Sequence, residues 1–404
     1  MSEPLLVIGN GMAAAKLCEE LTSRALGRHA VAVIGAEPCL AYNRVLLSEV
    51  LAGHMTAAEA EMKPAQWWRA RGVTLQYGTP AASIDRAARN VVLADGRRLP
   101  FGKLVLATGS HPIRLPLPGM ALPGVHTFRD LKDVEALLAA AAVPGTRAVV
   151  IGGGLLGIEA AAGLAGAGVE TRLVHLMDRL MERQLDVAAG AFLRRAVEAK
   201  GIEVLLGAAS EAIEGDSHVT GLRLKDGRVI PADILVVACG VTPNADLARA
   251  AGLEVKRGIV VDDTLAASDP DVFAIGECAE HRGITYGLVA PAYEQAGVLA
   301  RRLAGEDARY EGSVVSTNLK VSGVPVFSAG DVTGGPGTED IVLTDRGLGI
   351  YRRLIVKDGL LAGAVLFGDT ADGLFYLDLI TRRTPIAAMR TELAFGRDAV
   401  AAAA

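Results

Sequence analysis

The sequence predicts an α/β fold built from two copies of a strand, glycine turn and helix, with a strand-rich segment after them. Three observations carry the prediction. An apolar strand runs into a glycine-rich turn and an Ala-rich helix at residues 5–21 and again at 148–167. Each copy is followed by an apolar strand ending in small residues, at 104–109 and 235–240. Hydrophobic residues make up 51% of the chain and aromatics only 4%, so packing must rest on aliphatic helix–sheet contacts.

At 404 residues the chain is long enough for two or three domains with a core in each. A formal net charge of -5, without any Lys/Arg-rich run, argues against nucleic acid as a partner. The apolar stretch 5–8 is short, lacks a basic flank and runs straight into Gly9, so it reads as a strand and not a signal peptide. Gly, Pro or charge interrupts every window before the roughly 18 apolar residues a membrane span needs. The four cysteines, Cys18, Cys39, Cys239 and Cys278, form no CxxC pair and no metal-ligand spacing, and the seven His are scattered. The expectation is a cytoplasmic protein with reduced thiols, no membrane partner and no metal site.

The first turn, Gly9-Asn10-Gly11-Met12-Ala13-Ala14, has the GxGxxA spacing of a dinucleotide cradle. Gly9 makes the tight turn, Gly11 lets backbone approach a pyrophosphate, and Ala14 allows helix and strand to pack closely. The helix start adds amides and partial positive charge. A strand at 30–34 follows, and Glu37 lies just beyond it as the candidate for ribose hydroxyls, with Ala36 as the alternative occupant of that position.

The second turn, Gly152-Gly153-Gly154-Leu155-Leu156-Gly157, is the cleaner match, with its helix expected over 158–167. The strand 170–176 then brings His175 to the ribose position. A carboxylate there would repel the extra phosphate of NADP and a His would not, so these residues leave NADH and NADPH open. Ala107-Thr108-Gly109 and Ala238-Cys239-Gly240 are small, turn-forming triplets that let backbone approach a ligand. The segment 271–277 delivers Glu277 through Gly276, either as an acceptor for a ribityl chain or as an ordinary solvated acid.

Together these landmarks resemble the two-dinucleotide-binding-domain flavoproteins, the pyridine nucleotide-disulphide oxidoreductase-like group, here without the redox disulfide. The resemblance implies two Rossmann-like FAD/NAD(P)-binding domains, the second inserted in the first, plus a C-terminal α+β interface domain. It places an FAD-binding domain at 1–112 and 239–308, an NAD(P)-binding domain at 113–238 and the last domain at 309–404. Strands are expected through 316–328, 341–357 and 360–367, then a helix around 372–381. The FAD candidates are Gly9, Gly11, Met12, Ala13, Ala14, Glu37, Ala81, Ala107, Thr108, Gly109, Gly276 and Glu277, the last standing where the group has Asp. The NAD(P)H candidates are Gly152, Gly154, Leu155, Leu156, Gly157, His175 and Gly240, with NADH favoured.

A narrower resemblance rests on Tyr42-Asn43-Arg44-Val45-Leu46-Leu47-Ser48, His175-Leu176-Met177-Asp178-Arg179-Leu180-Met181-Glu182-Arg183-Gln184-Leu185-Asp186, Ile275-Gly276-Glu277-Cys278-Ala279 and Gly287-Leu288-Val289-Ala290-Pro291. These strings are similar to the N-terminal flavoprotein part of bacterial assimilatory nitrite reductase large subunits, and equally to the diaphorase subunits of assimilatory nitrate reductases. By that resemblance Arg44 and Ser48 contact the FAD pyrophosphate region, although 42–48 also reads as a plain helix start. The helix starting near Pro291 would aim its positive end at the flavin pyrimidine and favour the anionic reduced form.

A nitrite reductase large subunit continues into Cys-rich iron–sulfur and sirohaem regions, whereas this sequence ends in an Ala-rich stretch at 399–404, so it is not expected to reduce nitrite itself. Without a CxxC pair the route from flavin to a thiol pair is closed. Electrons taken as hydride from NAD(P)H must pass to a partner protein with an iron–sulfur, haem or molybdenum centre, or to a diffusing oxidant. Glu159 is read in two ways, as a catalytic group orienting the nicotinamide or as a first-turn carboxylate favoured by the helix dipole. Trp67 and Trp68 are read as packing residues. The expected function is an NAD(P)H-dependent electron-transfer flavoprotein serving assimilatory nitrate reductase. A rubredoxin or ferredoxin reductase and a redox-sensing flavoprotein with little turnover are the alternatives, and the last domain would cover the flavin and mediate homodimer or partner contacts.

Overall fold

The apolar runs that read as strands are continuous and not alternating, which suits strands covered on both faces. The computed structural model describes residues 2–319 and 323–403 and places these runs at sheet centres. Glu3–Ile8 and Arg147–Ile151 are each the middle strand of a five-stranded parallel sheet, and residues 5–8 and 148–151 are buried. The chain folds into two compact units, Met1–Leu46 with Ala57–His111 and Val241–Ser313, and Leu47–Thr56 with Pro112–Gly240 and Val314–Ala404.

In the first unit the parallel sheet has the order Val272–Ala274, Lys103–Leu106, Glu3–Ile8, His29–Gly35, Thr74–Tyr77. Its last-made strand is supplied from far along the chain. The helix Met12–Arg24 buries Ala14, Leu17, Cys18 and Leu21, one stripe at helical spacing, and packs against the helix Val289–Ala304. A small antiparallel sheet, Ala81–Asp85, Asn90–Leu93 and Arg98–Pro100, completes the unit. Trp68 is core, while half-buried Trp67 lies under Arg71 and Lys63, so both tryptophans pack.

In the second unit the parallel order is Glu203–Leu205, Glu170–Val174, Arg147–Ile151, Ile234–Val237, Val125–Thr127. Two helices begin at aspartate caps: Asp130 accepts from the Asp133 N–H at the start of Leu131–Ala141, and Asp186 from the Ala189 N–H at the start of Val187–Glu198. Each cap contributes about 1 kcal/mol. The helix expected over 158–167 starts three residues earlier, as Leu155–Gly166, because Gly154 is itself the extended residue before the first turn.

The C-terminal region forms a five-stranded antiparallel sheet, in the order Ser316–Leu319, Val326–Gly330, Leu360–Phe367, Ile350–Lys357, Thr338–Asp345, backed by the helix Gly373–Arg382. The expected run 341–357 is thus a hairpin. Asp345 Oδ1 accepts from the Gly347 and Leu348 N–H groups, both at 2.9 Å, and turns the chain there. The expected run 316–328 holds two strands, and its residues 320–322, like Ala404 of the tail, lie outside the described residues. Phe192 ties this sheet to the rest of its unit, with ring centroids 6.0 Å from Tyr351 and 5.4 Å from Phe367. Such pairs contribute about 0.5–1.5 kcal/mol each beyond area burial. Tyr351 also donates its hydroxyl to the capping Asp186. Among the described residues no helix is long and apolar enough to cross a membrane, and no group of His, Cys, Asp and Glu is placed to hold a metal.

Candidate functional site

The first glycine turn is fixed by the strands on either side of it. The Gly9 N–H donates to the Ile34 carbonyl at 2.7 Å, and the Ala107 N–H to the Ile8 carbonyl at 2.7 Å. Gly9 has φ +114, and a Cβ on it would lie 2.1 Å from the Ala107 oxygen, so only glycine fits. Gly11 is different: its φ is ordinary for any residue, and a Cβ there would meet nothing within 4 Å. The helix it introduces has no side-chain cap, and the first backbone bond into Gly11 comes from Ala15. The N–H groups of Met12, Ala13 and Ala14 therefore have no acceptor inside the helix. Asn10 adds a buried Oδ1 without a protein partner.

Several of the remaining candidates of the first unit lie close to this turn. Gly276 has φ +79, donates its N–H to Gln295 Oε1 at 2.7 Å, and would meet the Ala13 Cβ at 3.1 Å if it carried a Cβ. Glu277 begins no helix of length, only the short turn Gly276–Cys278, and accepts from Ser110 Oγ at 2.7 Å. Glu37 accepts from the Tyr42 hydroxyl at 2.6 Å and from the Arg44 guanidinium, and the neighbouring Ala36 is exposed. Burial works against the Arg44 cation, but Tyr42, Glu37 and Glu277 outweigh it and raise its pKa. Thr108 is clamped from a segment more than a hundred residues away: its Oγ1 donates to the Asn244 carbonyl at 2.7 Å, and Asn244 Nδ2 donates back to the Thr108 carbonyl at 2.8 Å. The Asn244 N–H adds a 2.9 Å bond to the Gly109 carbonyl. Pro291 is buried in the first turn of Val289–Ala304, where a missing N–H costs nothing. Ala81 opens the strand Ala81–Asp85 and packs half-buried on the core. Ser48 belongs to the second unit, buried on the short helix Leu47–Leu51.

The second turn repeats the first bond for bond. The Gly152 N–H donates to the Val174 carbonyl and the Ala238 N–H to the Ile151 carbonyl, both at 2.9 Å. Gly152 has φ +122, and a Cβ on it would be 2.4 Å from the Ala238 oxygen. A Cβ on Gly154 would meet nothing within 4 Å, and the first helical bond runs from Ile158, which leaves the N–H groups of Leu155, Leu156 and Gly157 without an acceptor in the helix. Gly157 would place a Cβ 1.7 Å from the Gly152 oxygen, so only glycine fits there. Gly240 ends the adjoining triplet at φ +111, its carbonyl accepting from the Ile113 N–H at 3.0 Å. His175 is buried against the turn: its Nδ1 accepts from the Gly153 N–H at 3.0 Å and its Nε2 lies 3.0 Å from Glu182 Oε2.

Glu159 is the fifth residue of Leu155–Gly166, one turn in, so the reading as a first-turn carboxylate held by the helix dipole does not stand. Burial, and then the charge of Glu49, push its pKa up to about 8. Near neutral pH it is a carboxylic acid that can donate a hydrogen bond. All four cysteines are free, and burial pushes the Cys18 thiol up to about 12 and the Cys239 thiol up to about 11, so neither is a ready nucleophile. Sequence reasoning gave no role to Asn244, Gln295, Tyr42, Ser110 or Glu182, although Tyr42 and Glu182 stand in the strings that carry the narrower resemblance. Asn244 follows Thr242-Pro243 in the sequence, but nothing local to it points to a partner 136 residues earlier.

These residues fit two dinucleotides: two uncapped helix starts, each behind a glycine whose missing side chain leaves room for a pyrophosphate. The family model of pyridine nucleotide-disulphide oxidoreductases matches residues 3–297, and that of the rubredoxin NAD+ reductase C-terminal domain matches 316–384. The chain is 44% identical over 383 residues to an NAD(P)H nitrite reductase of Bacillus subtilis, covering 95% of this chain and 48% of that one. It is 39% identical over 392 residues to the assimilatory nitrate reductase electron transfer subunit of the same organism, covering 96% of this chain and 50% of that one. It thus spans about half the length of these relatives. Among solved structures, the ferredoxin reductase for the CYP199A2 system of Rhodopseudomonas palustris matches with a TM-score of 0.86 at 28% identity, over 97% of this chain and 100% of that one. From its first strand to the helix that packs beside its first cradle, the chain belongs to the pyridine nucleotide-disulphide oxidoreductase family.

Proposed function

We propose that the chain is an FAD-dependent NAD(P)H oxidoreductase that passes electrons from NAD(P)H to a partner redox protein, the catalytic subunit of an assimilatory nitrate reductase. The observation that carries the proposal is the doubled glycine cradle in a chain whose four cysteines are all free. Two dinucleotides are provided for, and no thiol pair stands ready to take the electrons. In the first turn the amides of Met12, Ala13 and Ala14 would face the FAD pyrophosphate, with Glu37 at the ribose and Gly276 and Glu277 beside the ribityl chain. Arg44, cationic at any physiological pH, would offset the phosphate charge. In the second turn Leu155, Leu156 and Gly157 would do the same for NAD(P)H, and the protonated Glu159 would orient the nicotinamide by donating a hydrogen bond. Bound FAD supplies the conversion between a hydride donor and one-electron acceptors. The partner then carries an iron–sulfur, haem or molybdenum centre.

The match of 316–384 to the rubredoxin NAD+ reductase C-terminal domain supports a second reading, a rubredoxin or ferredoxin reductase. Anaerobic stopped-flow separates these. The flavin should bleach within milliseconds at saturating NADH and recolour fastest with a nitrate reductase catalytic subunit. Recolouring by rubredoxin alone would overturn the nitrate assignment, and bleaching over minutes would point to a redox sensor.

A further inference from the structure

We infer that Glu182, and not the residue at the end of the second strand, reads the adenosine ribose of the nucleotide at the second cradle, and that it selects NADH over NADPH. The inference rests on the proposed reading of that cradle as the NAD(P)H site. In such a cradle a carboxylate normally ends the strand after the glycine turn and accepts from the ribose hydroxyls. Here that strand, Glu170–Val174, is followed by His175. The ring is fully engaged: Nδ1 accepts from the Gly153 N–H at 3.0 Å, so it carries no proton, and the Nε2 proton is then directed at Glu182 Oε2, 3.0 Å away. His175 is left with neither a donor nor an acceptor for a sugar.

What it does is hold a carboxylate. The chain Gly153 N–H, imidazole, Glu182 fixes an anion one ring's width from the middle of the glycine turn. Glu182 is mostly buried, and among the described residues the nearest cation to its second oxygen, Oε1, is Arg183 Nε at 3.9 Å, beyond hydrogen-bond distance. Oε1 therefore keeps its capacity to accept from ribose hydroxyls. Two cations lie nearby, and each is accounted for in another way. Arg179 is ion-paired with Asp178 at 2.9 Å and donates its other nitrogens to the Leu185 and Glu182 carbonyls, and Arg183 is 83% exposed in water, where its charge is screened. Leu176 and Met177, exposed apolar side chains directly after His175, supply a surface for the adenine face. A 2′-phosphate at this place would meet a fixed carboxylate that a free hydroxyl would use as its acceptor.

The test is calorimetric titration of the oxidised, FAD-loaded protein with ADP-ribose and with its 2′-phosphate, which carry the adenosine end and donate no hydride. The wild type should bind ADP-ribose at least about tenfold more tightly than the 2′-phosphate. Glu182→Gln should bring the two within about twofold, chiefly by tightening the 2′-phosphate, while Glu182→Asp keeps the charge and should keep most of the discrimination. Arg183→Ala should change the ratio by less than about twofold. Equal or tighter binding of the 2′-phosphate by the wild type, or a ratio untouched by Glu182→Gln in a protein that holds its FAD, overturns the inference. If neither ligand binds and neither NADH nor NADPH bleaches the flavin, the reading of the cradle falls and takes the inference with it. If the flavin bleaches and only the ratio ignores Glu182, the inference falls alone.

Discussion

The two glycine turns share their bonding and differ in what lies beyond the second strand of each. In the first, Glu37 follows the strand and is held by Tyr42 and Arg44, a carboxylate with a cation against it. In the second, His175 stands there and holds Glu182 through its ring. The lesson is that the backbone half of each turn is dictated by sterics, while the acid beyond it is held by different partners in the two copies, Tyr42 and Arg44 in one and His175 in the other. A second difference lies in the third position of each turn, where Gly157 approaches Gly152 more closely than any residue with a side chain could.

The comparison is broken most severely at the strained glycines. Gly9→Ala and Gly152→Ala each put a Cβ within 2.4 Å or less of a carbonyl oxygen at positive φ, and each should cost at least about 2 kcal/mol. The two losses should differ in kind: Gly9→Ala should purify without flavin, whereas Gly152→Ala should keep flavin and lose its bleaching by NADH, read as the flavin-to-protein absorbance ratio and the bleaching rate. If both lose flavin alike, the two cradles do not have separate ligands.

Gly11→Ala and Gly154→Ala sharpen the point, since both positions are open and extended. Folding should be affected by less than about 1 kcal/mol, yet affinity for the ligand of that cradle should fall about tenfold or more, because the new methyl occupies the pyrophosphate's approach. Unchanged binding in both variants would show that nothing approaches the turns.

Asn244→Ala removes the side-chain half of the clamp on Thr108 and its contact with His111, an expected loss of about 1–2 kcal/mol confined to the first unit. Hydrogen exchange at the 107–109 amides should rise while that at 238–240 stays as it was.

The smallest effect concerns pH. Glu159 has its pKa raised from 4.5 to about 8 by burial and Glu49, so the folded state binds the proton more tightly than the unfolded one. Its contribution to stability is complete below about pH 4.5 and is lost as pH rises through about 8. Glu159→Gln should flatten that decline, visible as a shallower slope of Tm between about pH 5 and about pH 9. A Tm profile identical to the wild type would place the carboxyl in water.

The glycine turns, the apolar strands and the absence of a thiol pair were legible in the sequence because each is local: a few adjacent residues carry the whole constraint. The start of the second helix was misplaced by three residues because a glycine in extended backbone reads as loop, although the helix begins immediately after it. The hairpin at Asp345 was signalled by Gly347 and Gly349 and hidden by the apolar residues on both sides. Other features were not legible at all. The Asn244 clamp, the bond from Gly276 to Gln295 and the double engagement of His175 are tertiary hydrogen bonds, which leave no periodicity and no spacing. Glu182 is the instructive case, an acid in plain view whose importance depends on where one imidazole points.

The late arrival of the strand Val272–Ala274 sets an order of events during synthesis. Ala13 leaves the ribosome roughly 260 residues before Gly276, the glycine that packs against it, a gap of about 10–50 s at ordinary translation rates. Once made, the strand Lys103–Leu106 keeps an open edge until Val272–Ala274 arrives, and the helix Met12–Arg24 lacks the helix that covers it, whereas the second parallel sheet has all its strands once Val237 is made. The first cradle is therefore completed only after residue 276 is made, and a nucleotide that needs the whole cradle cannot be held before then.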